Sequence, residues 1–326
     1  MHKTNKFILE AAAIFVAYFY FGILQEKITK SKYTYEVVDE RGEKIYLTEK
    51  YTYFLSLVFI LCAINYAVAT LVLRIWPQEE DKTSKMYYVS IAITYLLAMV
   101  CSNMALQWVP YPTQVVGKSA KPIPVMILGV LLGKKSYPFR KYIFVLLIVV
   151  GVVLFMFKDK GKSTQDVTFG LGELLLILSL IMDGLTGGVQ ERIRAEAKPS
   201  GQQMMKASNG WSTLFLGVAL IVTGEGFKFF EFAHRQPTII GNLLVLGMTQ
   251  AIGQMFLYNM VSDFGPLVVS VVTTTRKFFT VLGSVIIFGN ALSLLQWIGA
   301  TLVFSGLFFD AFFSKGTAKK SPSNKS

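Results

Sequence analysis

The sequence predicts an all-α polytopic membrane protein whose ten transmembrane helices form two inverted five-helix repeats. Three observations lead to this fold class. Apolar residues make up 53% of the 326 residues and charged residues only 16%, a composition typical of chains that cross a bilayer many times. Long apolar runs recur along the whole chain. The polar sequence that ends the first run is nearly repeated at the end of the sixth.

Ten segments qualify as spans, since a helix needs about 20 mostly apolar residues to cross a bilayer. The first segment has the short apolar core of a secretory signal, but it carries the repeated polar motif and is interpreted as a retained span. The charged stretch 27–50 between the first two spans is predicted to be a surface loop. The predicted spans are 8–25, 51–74, 87–107, 111–133, 139–157, 167–188, 208–224, 238–260, 264–289 and 292–314.

The repeated motif divides the chain into two halves. Gln25 and Glu26 in "FGILQEKITK" correspond to Gln190 and Glu191 in "GGVQERIRAE". Because each half has an odd number of spans, the two halves must lie in opposite orientations, as in many transporters that hold substrate near the midplane. The predicted division is a first repeat at 1–158, a second, inverted repeat at 159–315 and a disordered cytosolic tail at 316–326.

A second set of matches supports the repeat. At one constant separation along the chain, Lys121 matches Arg276 and Gly151 matches Gly306. The first pair joins the fourth and ninth spans, and the second pair joins the fifth and tenth. An inverted repeat would therefore place Lys121 and Arg276 on opposite sides of one pseudo-symmetry axis.

The net charge of +12 is best explained by the membrane. Much of the charge flanks apolar runs, so anionic lipid is the expected partner and nucleic acid is not. Lysine and arginine outside the spans are more numerous on the side of the N-terminus, which predicts that both termini are cytosolic. Two isolated cysteines and two isolated histidines supply no metal-ligand set or disulfide framework, and no cofactor is expected.

Four cations lie inside predicted spans and indicate a binding site. Lys118 and Lys121 belong to the fourth span at a spacing that places them on one helix face, and Arg276 and Lys277 lie near the centre of the ninth. Each costs about 2.5–3.5 kcal/mol to insert, so such groups persist only where they face a wet cavity or a counter-charge. Arginine suits bidentate phosphate contacts and lysine acts as a point charge. The four side chains are therefore predicted to bind the phosphates of a polyanion.

Internal ion pairing is the alternative explanation of these cations. Among the acids considered as partners, only Asp183 is placed deep in a span, whereas Glu191 and the others lie near helix ends. One deep carboxylate cannot neutralise four cations, which favours a ligand site. Residues with a weaker prediction of a substrate-binding or gating role are Gln25, Glu26, Asn103, Gln114, Thr273 and Gln254.

Four stretches carry a resemblance to a known family: "YFYFGILQEKI", "SNMALQWVPYPTQVVGKSAKPIPVM", "GELLLILSLIMDGLTG" and "FGPLVVSVVTTTRKFF". Together they resemble the nucleotide-sugar transporter family, solute carrier family 35, of the drug/metabolite transporter superfamily, and in detail its subfamily B. The resemblance covers nearly the whole chain. It implies the drug/metabolite transporter fold, alternating access and strict antiport, with exchange of cytosolic ATP for lumenal ADP in the endoplasmic reticulum membrane. It also implies phosphate binding at Lys118, Lys121, Arg276 and Lys277.

Several alternatives remain at this point. Within the same class, the protein could exchange UDP-galactose or UDP-glucose for UMP, and the Golgi stays open because "SPSNKS" contains no dilysine signal. An exporter of lipophilic cations would need a site of the opposite charge. An enzyme acting on phosphorylated lipid would need an acid/base or nucleophile cluster, so no enzymatic activity is expected. A GxxxG motif from Gly129 to Gly133 is compatible with a homodimer.

Overall fold

The computed structural model describes residues 3–38, 44–105, 108–109, 114, 117–132, 136–156, 170–276 and 293–314. This part of the chain is helical apart from one β-hairpin, which confirms the predicted helical fold class. The helices are α1 (Lys3–Lys30), α2 (Phe54–Ile75), α3 (Lys85–Ala105), α4 (Pro122–Leu131), α5 (Phe139–Met156), α6 (Leu171–Glu196), α7 (Gly201–Thr223), α8 (Glu225–Arg235), α9 (Thr238–Phe264), α10 (266–276) and α11 (Leu294–Ser314). The strands are β1 (Lys32–Val38) and β2 (Lys44–Lys50).

Within the described residues, five helices are long and apolar enough to cross a membrane: Thr4–Thr29 within α1, then α2, α3, α6 and α9. A sixth span is added if α7 and α8, which meet at an angle of 88°, are counted as one broken span. These helices confirm a multi-pass membrane protein. The ninth predicted span extends beyond α10 into residues outside the described part, so the total of ten spans stays a prediction.

The helices belong to two compact units, which are composed of 1–93 with 193–265 and of 94–192 with 266–326. The division between the predicted repeats falls near residue 158, outside the described residues, and the two repeats stay a prediction.

The first unit is built on two helix pairs. Helix α1 packs along α9, where Lys6 Nζ and Asp263 Oδ2 form an ion pair of 2.6 Å. Helix α2 packs along α7, where the buried Asn65 Nδ2 donates to Asn209 Oδ1 at 3.1 Å. A buried amide pair between apolar helices fixes their register because shifting either helix would leave polar groups without a partner.

The stretch predicted as a surface loop is instead a β-hairpin. Helix α1 ends at Lys30, and β1 pairs antiparallel with β2, from Lys32 opposite Lys50 to Val38 opposite Lys44. In β1 the half-buried Tyr33 and Tyr35 alternate with exposed residues, a pattern that favours a half-buried strand,. Strand β2 is exposed at every residue except Glu49. The ring of Tyr33 packs edge-on against Phe232 of α8 at 5.3 Å. The hairpin therefore belongs to the first unit as a packed element.

Helix α8 was not predicted from the sequence. The chain turns at Gly224, whose φ of 70° is left-handed and favours glycine,. Glu225 then accepts hydrogen bonds from the backbone N and the Oγ of Ser56, at 2.8 and 3.1 Å. Arg235, at the other end of α8, contacts Glu49 of β2 at 3.0 Å. These contacts tie α8 to the first turn of α2 and to the hairpin.

The second unit contains a close contact between α5 and α11 at two glycines. A Cβ placed on Gly151 would lie 2.7 Å from the carbonyl oxygen of Gly299 and 2.8 Å from Val303 Cγ2. A Cβ placed on Gly306 would lie 2.9 Å from the carbonyl oxygen of Phe144 and 2.8 Å from Ile148 Cγ1. Each glycine thus permits a backbone approach that no other residue allows.

The residues contacted by the two glycines also match each other in the sequence, at the separation that matches Gly151 with Gly306. The same separation matches Phe144 with Gly299 and Ile148 with Val303. Each glycine therefore meets the residues that correspond to those met by the other glycine. Such reciprocal contacts are the property of a two-fold interface.

Candidate functional site

The two predicted lysines of the fourth span lie in a tight turn that leads into α4. Lys118 begins a 3-10 helix, Lys118–Ala120, and the backbone N–H of Lys121 donates to the carbonyl oxygen of Lys118 at 3.3 Å. Pro122 then begins α4, where its missing N–H is tolerated because the first helical position has no partner within the helix,. The turn replaces the α-helix predicted at this point, and both lysines lie on the same side of the turn.

Asp183 of α6 joins these two lysines. Its Oδ1 accepts from Lys121 Nζ at 3.1 Å, and its Oδ2 accepts a short contact from Lys118 Nζ. The side chain of Asp183 is 12% exposed, that of Lys118 is 15% exposed and that of Lys121 is 34% exposed. Lys121 is therefore the more accessible of the two cations. Asp183 is buried in the protein, and its depth in the membrane stays a prediction.

Ser179 completes the cluster one helical turn before Asp183. Lys118 Nζ donates to Ser179 Oγ at 2.6 Å, and Ser179 Oγ in turn donates to the carbonyl oxygen of Ala98 in α3. Residues four apart share a helix face, so α6 presents a hydroxyl and a carboxylate to Lys118 together. Sequence reasoning missed Ser179, although a serine and an aspartate at this spacing in an apolar helix were visible in "LSLIMDG".

Glycines set the register that brings Asp183 to the lysines. A Cβ on Gly184 would lie 2.7–2.9 Å from atoms of Pro124. One turn later, a Cβ on Gly187 would lie 3.0 Å from Val125, and one on Gly188 would lie 3.2 Å from the carbonyl oxygen of Leu128. Small residues let helices approach closely in membrane proteins. Helix α6 therefore lies directly against α4, next to the turn that carries the lysines.

The cluster agrees in part with the alternative of internal ion pairing. Two of the four cations contact a carboxylate, and Lys118, Lys121 and Asp183 together carry a net charge of +1 when all three are ionised. One carboxylate shared by two ammonium groups leaves donors for a further anion, because each ammonium has three N–H groups. The arrangement can therefore hold an anion as well as an internal ion pair.

The other two predicted cations belong to the ninth span. Arg276 is the last described residue of α10 and is half-buried, and Lys277 lies outside the described residues. Thr273 Oγ1 donates to the carbonyl oxygens of Val269 and Ser270 at 2.9 and 3.1 Å, which occupies its proton within its own helix.

The weaker predictions fall into two groups. Gln114 is buried and its Nε2 donates to the carbonyl oxygen and the Oγ of Ser102, at 2.6 and 2.9 Å, whereas Asn103 is exposed. Both belong to the unit that contains the lysines. Gln25 and Gln254 are half-buried residues of the other unit. Glu26 lies in α1, and its side chain is outside the described part of the chain.

Two acids differ from what the sequence suggested. Glu191 was placed near a solvated helix end, but it is only 4% exposed, and α6 continues past it to Glu196. Glu10 was not considered as a deep acid, yet it is 3% exposed within α1. Both acids are therefore buried residues of described helices.

Gly129 of the GxxxG motif faces its own chain. A Cβ on this glycine would lie 3.0 Å from the hydroxyl oxygen of Tyr137, so Tyr137 occupies the space that a second helix would need there. Gly133 lies outside the described residues. A homodimer stays a prediction.

Comparison with known proteins agrees with this picture. The model of the UAA transporter family matches residues 6–313. The solute carrier family 35 member B1 homolog of Drosophila melanogaster is 54% identical over 98% of this chain and 95% of its own length. Solute carrier family 35 member B1 is 52% identical in Gallus gallus, over 94% of this chain and 93% of the relative. The Danio rerio protein of the same name is 50% identical, over 98% of this chain and 95% of its own length.

A solved crystal structure shares the fold at low sequence identity. Its TM-score is 0.63 and its identity is 11%, over 95% of this chain and 98% of that chain. Because sequence matches cover nearly all of this chain and the matching model is that of a transporter family, the resemblance noted in the sequence is confirmed. The protein is a multi-pass membrane transporter that belongs to the UAA transporter family of nucleotide-sugar transporters.

Proposed function

We propose that the protein is a nucleotide antiporter that exchanges cytosolic ATP for lumenal ADP across the endoplasmic reticulum membrane. The observation that carries the proposal is the pair of lysines, Lys118 and Lys121, which lie within a predicted span and share one carboxylate. Cations placed at membrane depth mark substrate pathways because they are costly in lipid. The partners that such a pair recognises are anions with several oxygens, such as the phosphates of a nucleotide.

The number of cations favours a nucleotide with several phosphates. Arg276 ends the described part of α10, Lys277 follows it in the sequence, and the repeat matches Arg276 with Lys121. All four cations together suit the three to four negative charges of ADP and ATP better than the two of a UDP-sugar. In this proposal Lys118 and Lys121 bind one part of the phosphate chain and Arg276 and Lys277 bind another.

The inverted repeat is part of the proposal. The reciprocal contacts of Gly151 and Gly306 between α5 and α11 support a two-fold relation between the fifth and tenth spans. In transporters built this way, one repeat moves against the other around a substrate held near the midplane. Ten spans with both termini in the cytosol follow from this arrangement and from the distribution of lysine and arginine.

The proposal is tested with purified protein in liposomes. We expect uptake of labelled ATP to be stimulated strongly by ADP inside the vesicles, because a bound anion neutralises the cationic cluster during crossing. Adenosine lacks phosphates and should neither compete nor exchange. Equal ATP uptake into empty and ADP-loaded vesicles would contradict exchange. Uptake of UDP-galactose that UMP stimulates, with ATP inert, would instead identify a UDP-sugar antiporter.

A further inference from the structure

We propose that Asp183 is an internal competitor of the substrate's phosphate groups: its carboxylate holds Lys118 and Lys121 while the site is empty and leaves them when a nucleotide binds. The inference rests on the proposed nucleotide transport and assigns a role to a residue that the sequence considered only as an ion-pair partner. It predicts that the acid weakens nucleotide binding and makes the empty carrier more stable.

The geometry of the carboxylate is the first argument. Its two oxygens are used separately, Oδ1 by Lys121 at 3.1 Å and Oδ2 by Lys118. Two oxygens of one phosphate group would present the same pair of acceptors to the same pair of ammonium groups. Asp183 thus occupies the positions at which a phosphate would make its strongest contacts.

The distribution of donors is the second argument. Lys118 already donates to Ser179 as well as to Asp183, so two of its three N–H groups are engaged,. Within the described part of the chain, Lys121 donates to Asp183, and its side chain is 34% exposed against 15% for Lys118. A phosphate is therefore expected to meet Lys121 first and then to displace Asp183 from Lys118.

Electrostatic repulsion is the third argument. A phosphate that contacts both ammonium groups would lie within a few ångströms of the carboxylate, and like charges at that separation repel steeply in a low-dielectric site. Asp183 is 12% exposed at its side chain, so water screens it little. Its carboxylate must therefore move away from the lysines or take up a proton when the nucleotide arrives.

The close packing of α6 opposes a movement of the whole helix that would separate the Asp183 carboxylate from the phosphate. Gly184, the next residue, lies so close to Pro124 that a Cβ there would be 2.7 Å from the proline. The backbone of Asp183 is accordingly held against the start of α4. Rotation of the aspartate side chain is the remaining movement that can release both lysines.

Asp183→Asn tests the inference because it removes the charge and keeps the shape. We expect the Kd for ATP to fall at least about tenfold, because removal of a competing buried charge should change the affinity by at least that much. The gain should grow from AMP through ADP to ATP. Stimulation of ATP uptake by internal ADP should also become larger, because the empty variant carries one more uncompensated positive charge and crosses more slowly.

Asp263→Asn is the matched control. Asp263 also forms an ion pair, with Lys6 at 2.6 Å, but in the other unit, and its removal should leave the Kd for ATP unchanged. Unchanged or weaker ATP binding by Asp183→Asn, in protein that binds ATP without the substitution, would overturn the inference.

Infrared difference spectra of the unaltered carrier test the same point if the asparagine variant does not fold. Addition of ATP should shift the stretching bands of a carboxylate that loses two ammonium partners, and spectra without such a shift would overturn the inference. The proposed function fails separately, and this inference with it, if the unaltered protein binds none of ATP, ADP and UDP-galactose.

Discussion

Gly184→Ala would test the contact that places Asp183 beside the lysines. The added Cβ would lie 2.7 Å from Pro124 Cβ, 2.8 Å from its carbonyl carbon and 2.9 Å from its carbonyl oxygen. Ordinary contact begins at 3.4 Å, so α6 and α4 must separate by about 0.7 Å at this point, since none of the three atoms belongs to a flexible side chain. Overpacking of this kind costs about 1–3 kcal/mol.

The separation would also weaken the ion pair. If Asp183 moved with its helix by about 0.7 Å, its contact with Lys121, now 3.1 Å, would exceed the usual hydrogen-bond range. The assay is thermal unfolding of purified protein in detergent. Gly241→Ala is the control, because a Cβ on Gly241 of α9 meets nothing within 4 Å and should cost little or stabilise slightly. Equal unfolding temperatures for the two variants would refute the reasoning.

Two further predictions concern the hairpin and α8. Glu225→Gln should destabilise the protein by about 1 kcal/mol in thermal unfolding, because the carboxylate caps the first turn of α2 at Ser56,; Glu231→Gln, on an exposed side chain, should not. Burial, and then the hydrogen bond to Glu49, raise the pKa of Tyr53 to about 12. The neutral phenol is thus favoured in the folded state, so its contribution is present below pH 10 and is lost as the pH rises towards 12,. Tyr53→Phe should reduce this alkaline loss of stability, and an unchanged pH profile would contradict the assignment.

The membrane class and the need of Lys118 and Lys121 for a partner could be predicted, because exposing polar groups or charges to lipid costs free energy. Long apolar runs have few alternatives to a spanning helix, and a lysine inside such a run needs a partner. The spacing of Lys118 and Lys121 placed both on one side, and the structure brings both to Asp183. Even the acid was identified by its depth, although its sharing by two lysines was not foreseen.

The hairpin and α8 could not be predicted in the same way. Each strand has only seven residues and begins with lysine, so composition suggested a solvated loop. Helix α8 depends on Ser56 and Glu49, which lie far from it in the sequence. Ser179 was missed for a similar reason, since a serine in an apolar helix usually bonds to its own helix, and here it accepts from Lys118.

Neutralisation of Lys121 tests the central claim most directly. The measurement is ATP uptake into ADP-loaded liposomes by Lys121→Gln, compared with Lys141→Gln, a buried lysine of the same unit that lies 5.9 Å from the centre of the Tyr137 ring. We expect Lys121→Gln to lose ADP-stimulated uptake while it inserts and unfolds normally, and Lys141→Gln to retain transport. Full exchange activity in Lys121→Gln would contradict the assignment of the phosphate site.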